Sequence, residues 1–381
     1  MDEIELFKIL DEENCPCGSE IPYSKCCKNR KDENINIVEL LENEGRMNHE
    51  IIKQLKSSKI RICMHPNKQE CSSDIKCAHS LQNNGVLSLI AENGHVIEIK
   101  PGVNKNGIKL DIKPGSKNIA TTFTGFCGYH DTEVFKPIET IPYDKISNRQ
   151  NFLFAYRIYA YEYYKKLVAI KSFQKLVRKL PTRLHDETFV SLYRGYQLSI
   201  KDFDSYKEIM NTCLINSDFN EISTYVIEFD YKIAFATCFA YTPLFDLKGH
   251  KLGLDTLSNL NEDRLKINFV TVIPQKSKSY IIYSWLKEDD DYFELYINQL
   301  KDLNTNEVKK VFNNLLPEYS ENIVFAPKLW NRFSEYQQDQ LTNKLISNIP
   351  SPNIQMHVPN ELNTKLNITN RAAYNLFLKF D

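Results

Sequence analysis

The feature that most constrains this chain is the concentration of cysteine in its first third. Ten of the 381 residues are cysteine, and eight of those ten lie between residues 15 and 127. The chain begins with an acidic stretch and not with the long apolar run of a secretion signal, so a cytoplasmic protein is expected. Clustered thiols in a reducing compartment more often bind metal than form disulfides, and zinc is therefore favoured over a disulfide framework. No run approaches 18 apolar residues, so no membrane span is predicted.

Composition sets limits on the class of protein. Hydrophobic residues make up 42% of the chain and charged residues 25%, which is ordinary for a soluble globular protein and excludes a mostly disordered one. The length suggests two or three folded units. The net charge is −1, so binding to nucleic acid would need a local basic patch.

The first cysteine motif spans residues 15–27 and contains four thiols within thirteen positions, at Cys15, Cys17, Cys26 and Cys27. Zinc prefers four soft ligands in a tetrahedron, with thiolate sulfur at about 2.3 Å. A peptide this short cannot form an apolar core of its own. Metal binding must therefore drive its folding, and such binding contributes on the order of 10–16 kcal/mol.

Several residues around these thiols form a recognisable pattern. The matching positions are Cys15, Cys17, Gly18, Ser19, Tyr23, Cys26 and Cys27. The segment resembles the SEC-C motif, the zinc-binding tail of the SecA translocation ATPase. That resemblance implies one zinc ion and an accessory module that binds a protein partner and performs no chemistry. Glu20, Pro22 and Lys28 depart from the family pattern, which weakens the transfer of any particular partner.

A second set of ligands is split between two distant parts of the sequence. Cys63 and Cys71 form one pair, and Cys127 and His130 form the other. Two such knuckles, joined by a hairpin and followed by a helix, are typical of a treble-clef zinc site. His65 and Cys77 are alternative candidates for ligands of this second zinc site.

The same region also contains candidate catalytic residues. His79 follows the first knuckle, and residues 61–138 resemble the HNH endonuclease fold. The resemblance implies that His79 is a general base and that Asp131 or Glu133 binds magnesium or manganese. Ala78 stands where the family has an acidic residue. The alternative is a non-catalytic treble clef in which His79 hydrogen-bonds to the frame.

The remaining sequence predicts an α+β fold. An uninterrupted stretch from Arg149 to Leu180 predicts a long helix with an aromatic face, packed inside the molecule. The predicted domains are a zinc motif at 1–35, a linker helix at 36–60, a treble-clef or HNH-like domain at 61–148 and an α+β domain at 149–381. Short strands are predicted at 85–90 and 95–100, and the Pro-Gly pairs at 101–102 and 114–115 predict loops. Further strands are predicted at 222–230, 232–241, 266–273 and 279–285, and further helices at 203–215, 290–302, 305–315 and 328–347.

Three functional hypotheses follow. The first is a cytoplasmic protein with two structural zinc ions whose N-terminal modules bind a macromolecular partner, either a protein or a nucleic acid. The second is a degenerate HNH-type nuclease acting in defence against foreign DNA. The third is an ADP-ribosyltransferase, because residues 191–195, with Arg194, resemble the arginine motif of that family. The later signatures of that family are missing.

Overall fold

The structure of the chain is a computed structural model. The predicted linker helix at 36–60 lies mostly outside the described residues. The described residues are 8–33, 53, 57–104, 107–252, 264–346 and 372–380.

The second cysteine region contains a small two-stranded sheet followed by a helix. Strand β1 (Ile75–His79) pairs antiparallel with β4 (Thr122–Cys127), and helix α1 (Gly128–Glu139) follows directly. Between them lies a long hairpin of β2 (His95–Asn104) and β3 (Gly107–Ser116). A hairpin of this length reaches beyond the small sheet.

Two local expectations in this region are wrong. Residues 85–90 read as strand-like, but Asn83–Leu87 and Ser88–Ile90 are helical, and a short apolar run does not distinguish the two states. The Pro-Gly pairs at 101–102 and 114–115 predicted loops but lie within β2 and β3. Strand β3 is at the edge of its sheet, where the missing N–H of proline is tolerated.

Two long helices form the central support of the molecule. Helix α2 (Asn148–Lys179) confirms the predicted 149–180 helix and is about 48 Å long at 1.5 Å per residue. Ser147 caps its first turn through the amide of Gln150. Helix α3 (Glu187–Asn216) is much longer than the predicted 203–215. Its N-terminal half carries serine and Gly195, which weakened the helical pattern in the sequence.

A seven-stranded antiparallel sheet crosses the predicted domain boundary at 148–149. Its order is β3-β2-β9-β6-β7-β8-β5. Ile97 of the N-terminal hairpin is opposite Phe325. The N-terminal hairpin and the C-terminal strands therefore share one sheet. The remaining strands are β5 (Ile222–Phe229), β6 (Phe235–Tyr241), β7 (Asn268–Pro274), β8 (Ser279–Leu286) and β9 (Ile323–Phe325).

Helices cover both faces of this sheet. On one face Tyr206 of α3 contacts Phe269 of β7, with ring centroids 5.7 Å apart. On the other face Phe312 contacts Tyr283 of β8 at 5.8 Å. The chain is thus a mixed helix and sheet structure in three layers. The helices of the second face and the C-terminal part are α4 (Asp290–Lys301), α5 (Thr305–Tyr319), α6 (Pro327–Trp330) and α7 (Glu335–Ile346).

The helix predicted at 328–347 is two helices. Helix α6 ends at Trp330 and α7 begins at Glu335. Among the described residues, none of the helices combines the length and the apolarity needed to cross a membrane.

Candidate metal centres

The first candidate metal centre is formed by four thiols that face one another. The sulfur atoms of Cys15, Cys17, Cys26 and Cys27 all lie within 4.8 Å of one another. The Sγ–Sγ distance is 3.5 Å between Cys17 and Cys26 and 3.8 Å between Cys26 and Cys27. Four thiolates about 2.3 Å from one tetrahedral ion would have sulfurs about 3.8 Å apart. The spacing and the donor chemistry both fit zinc.

Backbone turns bring these thiols together over a short stretch of chain. The amide of Cys15 donates to the carbonyl of Ile21 at 2.9 Å, and the amide of Tyr23 donates to that of Glu13 at 2.8 Å. Gly18 has a φ of +75°, a conformation that glycine adopts without steric cost. A Cβ at Gly18 would also lie 2.7 Å from the side chain of Gln174. Glycine at this position therefore allows both the turn and the close approach of α2.

The first centre is packed against the ends of α2 and α3 and does not stand apart. The Nε atom of Arg178 donates to the carbonyl of Cys17 at 2.8 Å, and Arg194 pairs with Glu13 at 2.6 Å. The expectation of an independent accessory module therefore needs correction, because the segment shares an apolar cluster with the helices. That cluster contains Ile9, Tyr23, Val177, Leu184, Phe189, Val190 and Tyr193 together with three of the cysteines.

The four thiols of the first centre do not have the same acidity before a metal binds. Burial raises the pKa of Cys15 to about 11. Burial also tends to raise the pKa of Cys17, but hydrogen bonds from Ser19 and the neighbouring thiols outweigh it and lower the pKa to about 7. Cys17 is therefore partly thiolate at neutral pH. A thiolate is the form that binds metal, so the lowered pKa of Cys17 favours metal binding.

The second candidate centre is formed by Cys63, Cys71, Cys127 and His130. The Nδ1 atom of His130 lies 3.4, 3.6 and 3.3 Å from the sulfurs of Cys63, Cys71 and Cys127 respectively. With zinc at about 2.3 Å from sulfur and about 2.0–2.1 Å from nitrogen, a tetrahedral site separates the two atoms by about 3.5 Å. The three distances match this value, and Nδ1 is the ligand atom.

Local structure places each ligand of the second centre. Cys127 is the last residue of β4 and the N-cap of α1, and its sulfur accepts from the amide of His130 at 3.5 Å. The amide of Met64 donates to the carbonyl of Gly125 at 2.8 Å, which fixes Cys63 beside the end of β4. The knuckle and the helix N-terminus therefore converge because β1, β4 and α1 form one unit.

The two competing ligands lie outside the second set. Cys77 is exposed on β1. The ring of His65 stacks on that of His130 with centroids 3.7 Å apart, and its Nδ1 accepts from the amide of Asn67 at 3.2 Å. Burial lowers the pKa of His65 to about 4. A neutral His65 thus covers the ligand histidine.

Electrostatics favours a metal at the second centre. Burial lowers the pKa of His130, which keeps the imidazole neutral and its lone pair available. Burial tends to raise the pKa of Cys127, but the amide of His130 and the hydroxyl of Ser72 outweigh it and lower the pKa to about 7. The Nε2 atom of His130 lies 4.0 Å from a carboxylate oxygen of Glu70. This separation is too long for a hydrogen bond, and Nε2 has no hydrogen-bond partner among the described residues.

The residues proposed for a nuclease differ in their surroundings. The Nε2 atom of His79 lies 3.2 Å from the carbonyl oxygen of Lys117, which ties the ring to the frame. Asp131 is half-buried, and burial raises its pKa against the opposing influence of Arg157. Glu133 is exposed. Within the described part of the chain, no hydrogen bond or ion pair connects His79 with Asp131 or Glu133.

The arginine of the segment that resembles the ADP-ribosyltransferase motif has a structural partner. Arg194 lies inside α3, and one nitrogen of its guanidinium is 2.7 and 2.6 Å from the two carboxylate oxygens of Glu13. The same nitrogen donates to the carbonyl of Lys8 at 3.0 Å. These contacts hold the first centre against α3.

Sequence reasoning missed the contacts that join distant segments. Arg178 and Cys17 are 161 positions apart, and nothing in either sequence neighbourhood indicates the other. The spacing of Glu162, Lys165 and Lys166 does indicate a charged helix face. Their fourth partner, Glu321, comes from a loop that local spacing does not reveal.

Comparisons with models of protein families, with curated proteins and with solved structures gave no match to this chain. The resemblances to SEC-C and HNH segments therefore depend on the residues quoted above.

Proposed function

We propose that both clusters hold structural zinc and that the chain is a zinc-stabilised binding protein without zinc-dependent catalysis. The observation that carries this proposal is that each cluster offers four protein donors around one point. Catalytic zinc sites usually have three protein ligands and leave the fourth position to water or substrate. Four mutually facing donors leave no such position.

We further assign the two centres to types. The first is a SEC-C-like knuckle, supported by its spacing and by the turn at Gly18. The second is a treble clef, supported by a knuckle at Cys63 and Cys71, the β1–β4 pair and a helix that begins immediately after Cys127. In both types the binding of zinc contributes directly to the stability of the fold.

The partner-binding surface that we propose is the outer face of the first centre. Ile21 and Leu10 are 47% and 43% exposed there. Lys25 and Lys31 are also exposed, and neither forms an ion pair with any described residue. Exposed apolar side chains together with cations that have no ion pair among the described residues suit a protein partner with an acidic, partly apolar surface.

A nucleic-acid partner is supported less well. The basic residues at the C-terminal end of α2 are the best electrostatic candidates for such a partner, but two of them already have structural roles. Lys175 contacts Ser57, and Arg178 holds the carbonyl of Cys17. This engagement favours the protein partner.

Site-specific photocrosslinking in cells tests this proposal. A benzophenone amino acid at position 21 is expected to crosslink to a discrete partner protein. The matched control places the same residue at position 215, where Ile215 is 63% exposed near the end of α3. Adding Lys25→Glu and Lys31→Glu should abolish the crosslink at 21 without changing zinc content. Equal crosslinking from positions 21 and 215, or none from position 21, would refute the proposed surface.

A further inference from the structure

The seven-stranded sheet ends in two edge strands, β3 on one side and β5 on the other. An edge strand presents a row of unpaired backbone N–H and C=O groups to its surroundings. Proteins usually protect such an edge with charged side chains, with proline or with a covering element. An edge that lacks these protections is open to pairing with another strand.

Strand β3 has several of these protections. The side chains of Asp111 and Lys113 are 40% and 54% exposed. Pro114 lies within the strand and is exposed, and helix α7 lies against β3. A further strand would have to desolvate these charges, and it would meet a proline that has no N–H to donate.

Strand β5 lacks these protections. Its eight residues read Ile-Ser-Thr-Tyr-Val-Ile-Glu-Phe, without proline, glycine or lysine. Six of them are half-buried, whereas every residue of the neighbouring β8 is buried, so solvent reaches the outer side of β5. Within the described part of the chain, the backbone of β5 has no hydrogen bond outside its pairing with β8.

The single charge of β5 does not repel an approaching strand. Glu228 forms ion pairs with Lys145, at 3.1 Å, and with Lys278. Lys145 belongs to the loop before α2, and the next residue, Ile146, is 81% exposed. The C-terminal end of β5 therefore combines a neutralised carboxylate with a nearby exposed apolar side chain.

We propose that β5 pairs antiparallel with β5 of a second copy of this chain in a two-fold symmetric dimer. Every strand pair of the seven-stranded sheet is antiparallel, so the new pair continues the same pattern. Side chains that lie directly opposite each other share a face of the sheet, so the registers with the greatest overlap place Tyr225 or Val226 opposite its own copy. The two Glu228 residues then lie about 14 to 20 Å apart, because each residue advances a strand by ~3.4 Å.

The contrast between the two edges favours a closed dimer of this chain. A sheet with two open edges adds further copies without limit, whereas this sheet has one open and one protected edge. Isologous pairing of β5 uses the open edge of both copies. Only the two protected β3 edges then remain at the ends of the combined sheet. This interface is separate from the proposed partner surface around Ile21.

The oligomeric state of the full chain in its zinc-loaded form tests this proposal. Light scattering during size-exclusion chromatography should give the mass of two chains at high protein concentration. Val226→Lys should raise the dimer dissociation constant at least about tenfold, because it places a lysine at the paired edge of each copy. Ile112→Lys is the matched control, since it changes a half-buried, β-branched residue of the protected edge and should leave the dimer intact.

Hydrogen exchange of the backbone amides at 222–229 locates the interface. We expect these amides to be more protected in the dimer than in diluted protein or in Val226→Lys. The comparison of dilute and concentrated wild type keeps the test decisive if Val226→Lys fails to fold. Three outcomes would overturn the proposal: the mass of one chain at every concentration, a dimer that Val226→Lys weakens no more than Ile112→Lys does, or equal protection of 222–229 in monomer and dimer.

Discussion

The Nε atom of Arg178 donates a hydrogen bond to the backbone carbonyl oxygen of Cys17, with 2.8 Å between the two atoms. This bond connects the loop that carries a metal ligand with the last turns of a 32-residue helix. The amide of Glu33 donates to the carbonyl of Lys179 at 2.8 Å and continues the contact. The first metal centre is thus a packed part of the molecule.

Deleting residues 1–33 should therefore destabilise the chain. The deletion uncovers apolar side chains such as Val177, Phe189 and Val190 and leaves Arg194 without Glu13. We expect the melting temperature to fall by at least about 5 °C and the binding of a hydrophobic dye to increase. A control that lacks only residues 1–6 keeps all of the described contacts. An unchanged melting temperature in the longer deletion would mean that the segment is an independent module after all.

The purified protein should contain two zinc ions per chain. Elemental analysis should give one zinc for Cys17→Ser and one for Cys127→Ser, because each change removes one of four ligands from one centre. Cys77→Ser is the matched control and should retain two, since Cys77 is exposed and outside both sets. A wild-type value of one or less after expression with ample zinc would contradict the second centre.

The two metal centres differ in how far the sequence could predict them. The four thiols at 15–27 lie within thirteen positions, so spacing alone indicated one site. The second set spans 67 positions from Cys63 to His130, and its sequence left His65 and Cys77 as alternatives. The structure excludes both alternatives, because Cys77 is exposed at a register shift of the β1–β4 pair and the Nδ1 atom of His65 accepts from the amide of Asn67.

In the fold, too, the elements that depend on neighbouring residues could be predicted, and the contacts between distant residues could not. The helix at 148–179 was predictable because no glycine or proline interrupts an apolar face. The shared sheet was not, because the pairing of Ile97 with Phe325 joins residues more than 200 positions apart. Contacts of that kind depend on packing of the whole chain, which periodicity does not encode.

Asp246 should make stability depend on pH in acid. Its side chain is 1% exposed, and it accepts hydrogen bonds from the amides of Lys248 and His250 at 2.8 Å each and from Gln299 at 2.8 Å. Burial tends to raise the pKa of Asp246, but these donors and the His250 ring outweigh it and hold the pKa below its usual value. The carboxylate therefore stabilises the fold above the unfolded pKa of about 3.9, and this contribution is lost as pH falls through the folded pKa.

The variant Asp246→Asn measures this contribution. We expect it to lower the free energy of unfolding at pH 7 by about 2–4 kcal/mol, because it places an amide donor against other donors. Denaturant titrations between pH 3 and pH 7 should show the difference from wild type shrinking in acid. Asp74→Asn is the control, since Asp74 is 72% exposed and should change little. If the difference in the free energy of unfolding between Asp246→Asn and the wild type did not depend on pH, the loss of stability would come from altered packing and not from the lost charge.

The intact protein should not nick DNA or RNA through His79 with magnesium or manganese. A general base needs a ring nitrogen facing the water that it deprotonates, together with a metal held nearby. The Nε2 atom of His79 instead faces the carbonyl of Lys117 at 3.2 Å, and Glu133 is exposed and unconnected to it among the described residues. Burial lowers the pKa of His79, which suits a neutral ring that donates to that carbonyl.

His79→Ala should therefore reduce stability by about 1–3 kcal/mol, because the carbonyl of Lys117 loses its donor, while zinc content and cleavage of nucleic acid remain as in the wild type. His79→Gln, which can still donate to that carbonyl, should recover part of the stability. Supercoiled plasmid and single-stranded RNA, each incubated with either metal, are suitable substrates. Metal-dependent cleavage that falls about 10²–10⁴-fold in both variants, the range for loss of a general base, would instead establish His79 as catalytic and restore the nuclease hypothesis.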